Sequence, residues 1–383
     1  MRCIVRNGVM PKGKVFLPPS KSEVIRRALL LGLCGEDPRK ALAGYEGTPV
    51  CRDTAFALEA SSHLAGEVCA GESAALLRLA LPVKLIMGGG DITGEENVLR
   101  RGIWEYEECF ARCFARRRER ISLGDTRGIF QNKTRFVIDC GRSSQFLSGL
   151  LIALPTLDRE CEIIIKNGLV SRPYADMTLR IVREFGGIIE ETETGYRTYP
   201  SKYRAPENAR AAGDTSYAAV FKAMNAMGGR VELCGADEDT TRPDAVFPDP
   251  AAISECDITD CPDLLPVLAA AACGKSGDTV IRGTSRLRTK ESDREKETVR
   301  LIRALGGEAH IMGDRILVRG KGGLSGGEYR AANDHRMVFA AAAAALISEK
   351  PVEIIGAECV EKSAPAFFED IKKLGMEITE VCY

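Results

Sequence analysis

Amphipathic helical stretches that stop at glycine recur along the chain. Residues 177–185, for example, show apolar positions at helical spacing, and Gly186-Gly187 and the β-branched pair Ile188-Ile189 follow. Glycine after the last helical turn takes up the left-handed conformation without the steric penalty that a side chain carries. The pattern therefore predicts helices that end and turn into strands. The other stops are Gly228-Gly229, Gly306-Gly307 and Gly375.

The spacing of these stops predicts repeated modules. They lie about 42, 78 and 69 residues apart, close to one or two multiples of a module of about 35 to 42 residues. Strands are predicted at residues 162–166, 279–282, 315–318 and 352–355, and helices at 144–154 and 336–347. Alternating helices and strands indicate an α/β (α+β) fold in layers.

Length and composition indicate an ordinary globular protein with two domains. The chain has 383 residues, beyond the size at which a single core keeps growing, and is 45% hydrophobic and 28% charged. A linker is predicted at residues 199–208, which are rich in proline and charge, just before Gly213.

Several classes of protein are disfavoured by charge and residue usage. A net charge of -1 argues against a nucleic-acid partner. Residues 1–11 contain no apolar core of signal-peptide length and no run is long enough for a membrane span, so we expect a cytoplasmic protein. The 14 cysteines are scattered and form no CxxC pair, and the 3 histidines have no metal-ligand spacing. We expect reduced thiols and no metal.

Three charged clusters, far apart in the sequence, suggest one anion-binding cleft. Residues 286–294 read Arg-Leu-Arg-Thr-Lys-Glu-Ser-Asp-Arg, Ser20-Lys21-Ser22 precedes Arg26, and Asn333-Asp334-His335-Arg336 lies near the C-terminus. Two prolines precede Ser20, so Lys21 and Ser22 are expected at a helix N-terminus, where backbone N–H groups attract anions. Each cluster alone also fits a solvated or capped helix start.

Together the motifs resemble those of the EPSP synthase (3-phosphoshikimate 1-carboxyvinyltransferase) family, and they follow the family's order over nearly the whole chain. They are Ser20-Lys21-Ser22 with Arg26, Ser143-Ser144-Gln145, Ser171-Arg172-Pro173-Tyr174, Pro262-Asp263, Arg288-Thr289-Lys290-Glu291-Ser292-Asp293-Arg294, Asn333-Asp334-His335-Arg336 and Lys362-Ser363.

The resemblance implies two domains built of inverted βαβαββ units, with the active site in the cleft between them. One domain would comprise residues 1–20 with 208–383, and the other residues 21–207. A monomer is the expectation from the family.

The implied reaction moves the enolpyruvyl group of phosphoenolpyruvate to the 5-hydroxyl of shikimate 3-phosphate, in aromatic amino-acid biosynthesis, without a metal or other cofactor. Asp263 would accept the hydroxyl proton, Glu291 would pass protons to the methylene, and Lys21 would contact both substrates. The implied ligands of shikimate 3-phosphate are Lys21, Ser22, Arg26, Ser143, Ser144, Gln145, Ser171, Asp263, Arg286 and Lys290. Those of phosphoenolpyruvate are Lys21, Ala74, Arg101, Gln145, Arg294, Arg336 and Lys362.

The chain departs from the family pattern at three places, all in the N-terminal half. Ala74 and Ala75 replace a glycine and a Thr or Ser, which we expect to crowd the phosphoenolpyruvate pocket. Gly102 replaces the proline after Arg101, which we expect to loosen the backbone there. Residues 53–78 are shorter than in typical members by roughly two strands.

These departures leave alternatives open. The leading hypothesis is an active EPSP synthase, and the alternative is a degenerate, non-catalytic homologue that still binds shikimate 3-phosphate. Asp263 also fits a helix cap, and His335 fits a residue that orients Asp334 or Arg336. The related UDP-N-acetylglucosamine enolpyruvyl transferase would carry a reactive cysteine between Arg78 and Glu95, where this chain has none.

Overall fold

The computed structural model describes residues 1–100, 102–110, 113–124, 133–236 and 239–381. The chain divides into two compact units: a discontinuous unit, Met1–Pro18 with Gly213–Tyr383, and a continuous unit, Pro19–Ala212. The boundaries expected from the sequence, after residues 20 and 207, differ from these by two and five residues.

Strands and helices alternate through both units. The strands are β1 (Arg2–Val5), β2 (Lys12–Phe16), β3 (Val68–Cys69), β4 (Gly90–Thr93), β5 (Phe114–Arg116), β6 (Arg120–Leu123), β7 (Arg135–Asp139), β8 (Cys161–Lys166), β9 (Ile188–Thr192), β10 (Gly195–Tyr199), β11 (Arg230–Cys234), β12 (Glu255–Asp257), β13 (Ser276–Arg282), β14 (Glu308–Ile311), β15 (Arg315–Lys321), β16 (Gly327–Arg330), β17 (Val352–Ile355) and β18 (Ile378–Val381).

The α-helices within the described residues are α1 (Lys21–Leu33), α2 (Arg52–Ser62), α3 (Ala74–Ile86), α4 (Glu96–Arg100), α5 (Trp104–Cys109), α6 (Gln145–Ala153), α7 (Arg172–Glu184), α8 (Thr215–Ala226), α9 (Leu265–Ala272), α10 (Arg294–Ala304), α11 (His335–Ala344) and α12 (Phe367–Lys373). Short 3₁₀ turns include Pro38–Leu42, Pro262–Leu264, Ser285–Thr289 and Ala357–Lys362.

A β-α-β-α-β-β module occurs three times with the same strand order. The sheets run β3-β4-β6-β5 and β7-β8-β10-β9 in the continuous unit and β12-β13-β15-β14 in the discontinuous unit. In each sheet the first two strands are parallel and the remaining pairs are antiparallel. The repeated module predicted from the glycine stops is confirmed, as is the α/β class.

A fourth sheet, β16-β17-β1-β18, reproduces this order with a strand from the other end of the chain. Strand β1 lies between β17 and β18 and pairs antiparallel with both. Alternate residues of β1, Cys3 and Val5, are fully buried, so the first residues of the chain complete a core otherwise built from its last residues.

Elsewhere the modules are incomplete. Strands β2 and β11 form a two-stranded parallel ribbon. Residues 34–67, all of which are described, contain α2 and the turn Pro38–Leu42 but no strand. Within residues 53–78, all of them described and, by the resemblance, shorter than in typical members by roughly two strands, β3 (Val68–Cys69) is the sole strand.

Each unit has its own hydrophobic core. In the discontinuous unit the tilted rings of Phe339, on α11, and Phe367 pack with their centroids 4.6 Å apart, and both helices α9 and α11 are rich in alanine. Small side chains let these two helices, which contact each other, pack closely. In the continuous unit α3 packs on α6 at Gly149, where an added Cβ would lie 2.7 Å from the Arg78 carbonyl oxygen.

The glycine stops have the predicted backbone. Gly186, Gly228, Gly306 and Gly375 follow helices α7, α8, α10 and α12, with φ of 85°, 105°, 84° and 93°. This is the left-handed region in which other residues are strained. Of the helices in the described residues, none combines the length and the apolar character needed to cross a membrane.

The burial of β1 yields a prediction about stability. Val5→Thr keeps the shape but buries a hydroxyl, so the free energy of unfolding should fall by about 1–3 kcal/mol. The matched control is Val246→Thr, the same change at a side chain that is 59% exposed, and it should change stability by less than about 0.5 kcal/mol. Urea denaturation measures both, and equal effects would show that β1 is not part of the core.

Candidate functional site

Three helix N-termini of the discontinuous unit carry the charged residues that the sequence singled out. Asp263 lies in the turn Pro262–Leu264 that leads into α9, Glu291 and Arg294 lie at the start of α10, and Arg336 lies in the first turn of α11. These helices contact one another, and this packing brings charged residues from three separate parts of the sequence into one cluster.

Arg294 is the centre of this cluster. Its guanidinium donates through Nη1 to Asp263 Oδ1 and through Nη2 to Glu291 Oε2, both at 2.6 Å, and through Nε to Asp334 Oδ2 at 2.9 Å. Arg294 is 1% exposed and Asp334 fully buried. Burial alone would lower the pKa of Arg294, but the three carboxylates raise it well above its ordinary value.

Asp334 joins two helix starts. Its carboxylate accepts from the backbone N–H of Arg336 at 3.0 Å, which caps α11, while it also accepts from Arg294 and from Ser292 Oγ at 3.0 Å beside the start of α10. The preceding residue, Asn333, has a φ of 53°, so the chain enters this cap through a left-handed turn. Asp334 therefore fixes the positions of both Arg294 and Arg336.

Asp263 binds two guanidinium groups rather than capping a helix. Arg336 Nη2 donates to Asp263 Oδ2 at 2.9 Å, and Arg336 Nη1 donates to the carbonyl of Ser216 at 3.1 Å. Neither the turn Pro262–Leu264 nor α9 has a side-chain cap. Burial acts to raise the pKa of Asp263, but Arg336, Arg294 and Lys290 outweigh it and hold that pKa well below its usual range.

Lys290 lies half-buried beside this cluster, and its pKa is lowered from the ordinary value for lysine. Burial is the largest cause and, together with repulsion from Arg294 and Arg286, lowers the pKa of Lys290 to about 8. The carboxylates of Asp263 and Glu291 act in the opposite direction. Arg286 donates to the backbone carbonyls of Ile258 and Thr259.

The two other charged residues of segment 286–294, Arg288 and Asp293, have structural partners. Arg288 pairs with the fully buried Glu295, and Asp293 caps α10 by accepting from the Lys296 N–H at 3.2 Å.

Lys362 is buried at the end of the turn Ala357–Lys362. The buried ring of His335 packs edge-on against Phe339, with ring centroids 5.6 Å apart.

The continuous unit also gathers its predicted residues at helix N-termini. Lys21 and Ser22 open α1, as the sequence predicts, and Lys21 Nζ lies 3.0 Å from Asp53 Oδ2. Asp53 is a buried carboxylate in the first turn of α2. This pair neutralises the cation that the resemblance assigns to both substrates.

Arg26 forms hydrogen bonds that join three helices. Its Nε donates to Thr178 Oγ1 at 2.6 Å, and its two Nη atoms donate to the Ser22 carbonyl at 2.8 Å and to Ser148 Oγ at 3.3 Å. Burial lowers its pKa to about 10, against the opposing effects of Tyr174 and Glu23. The described contacts give Arg26 a role in joining α1, α6 and α7, and its contact with a ligand stays a prediction.

The predicted serines and glutamine lie at the starts of α6 and α7. Ser143 Oγ accepts from the Gln145 N–H at 3.3 Å, and Ser144 precedes the helix. Ser171 begins α7 with a φ of 52°, a strained conformation for a residue with a side chain. Strain of this kind concentrates at functional sites.

Two of the three sequence departures, at Ala74 and at Gly102, have local compensations. Ala74 is buried in the first turn of α3, where Ser73 Oγ caps the helix by accepting from the Leu76 N–H at 3.4 Å. The close backbone approach in this loop occurs instead at Gly71, where an added Cβ would lie 2.3 Å from the Phe56 ring. A methyl group at residue 74 is thus accommodated within the helix.

Gly102 is held rather than loosened. Proline cannot adopt the φ of 91° that Gly102 has. A Cβ added at Gly102 would lie 1.7 Å from the Trp104 Nε1 atom and would overlap the indole ring. The Gly102 carbonyl accepts from Arg78 Nε at 3.4 Å. Arg101, which the resemblance assigns to phosphoenolpyruvate, lies outside the described residues.

Sequence reasoning missed Asp334, Asp53 and Arg78 as site residues. Asp334 lies within the motif Asn333-Asp334-His335-Arg336, and an acid directly before a helical run is a usual cap signal. Asp53 and Arg78 carry no such signal of function, because their roles depend on contacts across the fold. No group of three or more His, Cys, Asp and Glu side chains in the described parts of the chain is arranged to hold a metal ion.

Comparisons with known proteins point to one family. The model of the family described as EPSP synthase (3-phosphoshikimate 1-carboxyvinyltransferase) matches residues 124–249 and 239–371. A 3-phosphoshikimate 1-carboxyvinyltransferase of Clostridium kluyveri is 29% identical over 425 aligned positions, covering 99% of each chain. One from Clostridioides difficile is 30% identical over 341 positions, covering 81% of this chain and 76% of the relative.

Solved structures share the fold. An EPSP synthase from Acinetobacter baumannii superposes with a TM-score of 0.75 at 20% identity, over 99% of this chain and 100% of that one. The enolpyruvyl transferase NikO from Streptomyces tendae superposes with a TM-score of 0.69 at 14% identity, over 99% and 98% of the two chains.

The Arg294 cluster yields a prediction that does not depend on any ligand. Asp334→Ala leaves a buried guanidinium without one carboxylate and should lower the free energy of unfolding by about 3–5 kcal/mol. Asp334→Asn, which keeps an acceptor for the α11 cap, should cost less.

Asp293→Ala is the control, since it removes a cap on α10 without touching Arg294, and it should cost about 0.5–2 kcal/mol. Urea denaturation of the full chain measures all three variants. Equal losses for Asp334→Ala and Asp293→Ala would contradict the central role of the buried pair.

Proposed function

The chain belongs to the EPSP synthase family and is a 3-phosphoshikimate 1-carboxyvinyltransferase, and we propose that the two clusters of charged residues at its helix N-termini carry out this reaction. The enzyme transfers the enolpyruvyl group of phosphoenolpyruvate to the 5-hydroxyl of shikimate 3-phosphate. The observation that supports the assignment most is the contact of Asp263 with both Arg294 and Arg336, the base and two of the cations that the family motifs imply.

The reaction needs a base, a proton donor and cations. The 5-hydroxyl oxygen forms a bond to C2 of phosphoenolpyruvate, its proton goes to Asp263, and the methylene carbon C3 receives a proton. The C2–O bond to phosphate then breaks, phosphate leaves, and C3 gives up a proton to restore the double bond. Glu291, which shares Arg294 with Asp263, exchanges the proton with C3.

Arg294 and Arg336 act first as partners of Asp263 and then as partners of the substrate. In the free protein they hold Asp263 ionised, and its low pKa makes it a poor base. When the carboxylate or phosphate of phosphoenolpyruvate takes over these guanidinium groups, Asp263 loses part of its stabilisation and its pKa rises. The anionic substrate thereby strengthens the base that its reaction requires.

Shikimate 3-phosphate is bound mainly by residues of the continuous unit. Ser22, Ser143, Ser144 and Ser171 lie at starts of helices, where hydroxyl and backbone N–H groups suit a phosphate or carboxylate. Lys21 leaves Asp53 for the substrates, and Lys290 of the discontinuous unit adds a further cation. The assigned residues therefore belong to both units.

A phosphate-release assay with both substrates tests this function. Release should require shikimate 3-phosphate and phosphoenolpyruvate together, because phosphate leaves only from the adduct of the two. Binding of shikimate 3-phosphate without turnover would instead identify a non-catalytic homologue.

Replacing the base should abolish turnover without unfolding the protein. Asp263→Asn keeps the size of the side chain, and Asp263→Ala removes it; each should reduce kcat by about a hundredfold or more, since the proton acceptor is lost. The control is Asp260→Ala, which removes an exposed carboxylate three residues earlier. Circular dichroism checks folding, and near-normal turnover in a folded Asp263 variant would refute the assigned base.

The pH dependence of substrate capture should report Lys290. Above about pH 8 this side chain loses its proton and its charge, so kcat/KM for shikimate 3-phosphate should fall as pH rises through that value. Lys290→Arg keeps the charge throughout this range and should shift the fall to higher pH. Superimposable pH profiles for the natural chain and Lys290→Arg would show that Lys290 does not bind shikimate 3-phosphate.

A further inference from the structure

Three elements of the continuous unit assigned to phosphoenolpyruvate meet at a residue that the family motifs leave without a role. They are the first turn of α3 with Ala74, the start of α6 with Gln145, and the backbone at Gly102, next in sequence to Arg101. Arg78 is in contact with the last two and lies one helical turn after Ala74 on α3.

The guanidinium of Arg78 forms hydrogen bonds along its edge and lies with its face over an aromatic ring. Its Nη1 donates to Gln145 Oε1 at 2.9 Å and its Nε to the Gly102 carbonyl at 3.4 Å. Its Cζ lies 4.7 Å from the centroid of the Phe146 ring, within the range of a cation–π contact. The bond to Oε1 also decides which end of the Gln145 amide faces away from Arg78.

The backbone around Arg78 is fixed by a second set of contacts. The Tyr106 hydroxyl lies 2.9 Å from the Arg78 carbonyl oxygen and 2.8 Å from that of Phe146, so its proton is shared between α3 and α6. Tyr106 is fully buried on α5, which follows Gly102 closely in the chain. These contacts leave Arg78 little freedom to move relative to Gln145.

The Gly102 contact explains how the chain manages without the family proline. Proline holds a backbone rigid through its ring, whereas glycine is free to adopt many conformations. Here the left-handed Gly102 is covered by the Trp104 indole and its carbonyl is bonded to Arg78. Arg78 and Trp104 thus restrain the backbone at Gly102 through contacts, in place of the proline ring that the family pattern implies at this position.

We propose that Arg78 is a positioning residue for the phosphoenolpyruvate half of the site: it orients Gln145 and restrains the backbone at Gly102 without touching the substrate. This proposal rests on the function proposed above. Lysine cannot substitute, since a single ammonium lacks the planar fork that reaches two acceptors and stacks on a ring.

Steady-state kinetics of Arg78→Lys test the proposal. KM for phosphoenolpyruvate should rise about tenfold or more, because a charge-assisted bond and its geometry are lost. KM for shikimate 3-phosphate should change no more than about threefold, since its other ligands remain. Arg183→Lys is the matched control: it removes an arginine bond to a backbone carbonyl, that of Ile189 at 2.8 Å, elsewhere in the same unit.

A double variant distinguishes positioning from general destabilisation. If Arg78 acts partly through Gln145, Arg78→Lys should raise the KM for phosphoenolpyruvate less in a Gln145→Ala background than in the natural chain. Emission from Trp104, the sole tryptophan of the chain, reports the environment of Gly102 and should change in Arg78→Lys but not in Arg183→Lys.

Additive effects with unchanged emission, or equal rises in KM for both substrates, would overturn the proposal. A natural chain that releases no phosphate would refute the enzyme function itself, whereas an active natural chain with an unaffected Arg78→Lys variant would refute only the role of Arg78.

Discussion

The burial of the Arg294 guanidinium among three carboxylates is the interaction on which the discontinuous unit depends. A buried charge is tolerated only if it is paired and hydrogen-bonded, and Asp263, Glu291 and Asp334 meet this need from three separate helix starts. Helices α9, α10 and α11 can therefore pack only where these carboxylates reach one guanidinium. The repeated β-α-β-α-β-β modules provide that packing, and the strand β1 from the chain's beginning completes it.

The continuous unit uses the same physical device at smaller scale. Lys21 is paired with the buried Asp53, as Arg294 and Arg336 of the other unit are paired with Asp263, so the cations proposed to bind substrate already have partners in the free protein. In the proposed mechanism, anionic substrates replace these internal partners instead of neutralising bare cations. The proposed exchange would let a protein with a net charge of -1 hold several cations in place, and it would couple the binding of phosphoenolpyruvate to the basicity of Asp263.

Much of this structure could be predicted from local sequence. The stops at Gly186 and Gly306 predicted helix ends because a left-handed turn needs glycine, and the prolines before Ser20 placed Lys21 at a helix start. The sequence does not reveal partners that only the tertiary fold brings together. Asp334 and Arg78 therefore went unassigned, and the Gly102 carbonyl bond and the Trp104 contact could not be foreseen, although the change from proline to glycine was visible.

The central claim is that the chain joins the enolpyruvyl group to the 5-hydroxyl of shikimate 3-phosphate. Nuclear magnetic resonance of a reaction with phosphoenolpyruvate labelled with carbon-13 at C2 and C3 tests it most directly. The account predicts that both labelled carbons appear as a vinyl ether attached at the 5-oxygen, in step with phosphate release. Labelled pyruvate with no adduct, or unchanged phosphoenolpyruvate in the presence of both substrates, would contradict it.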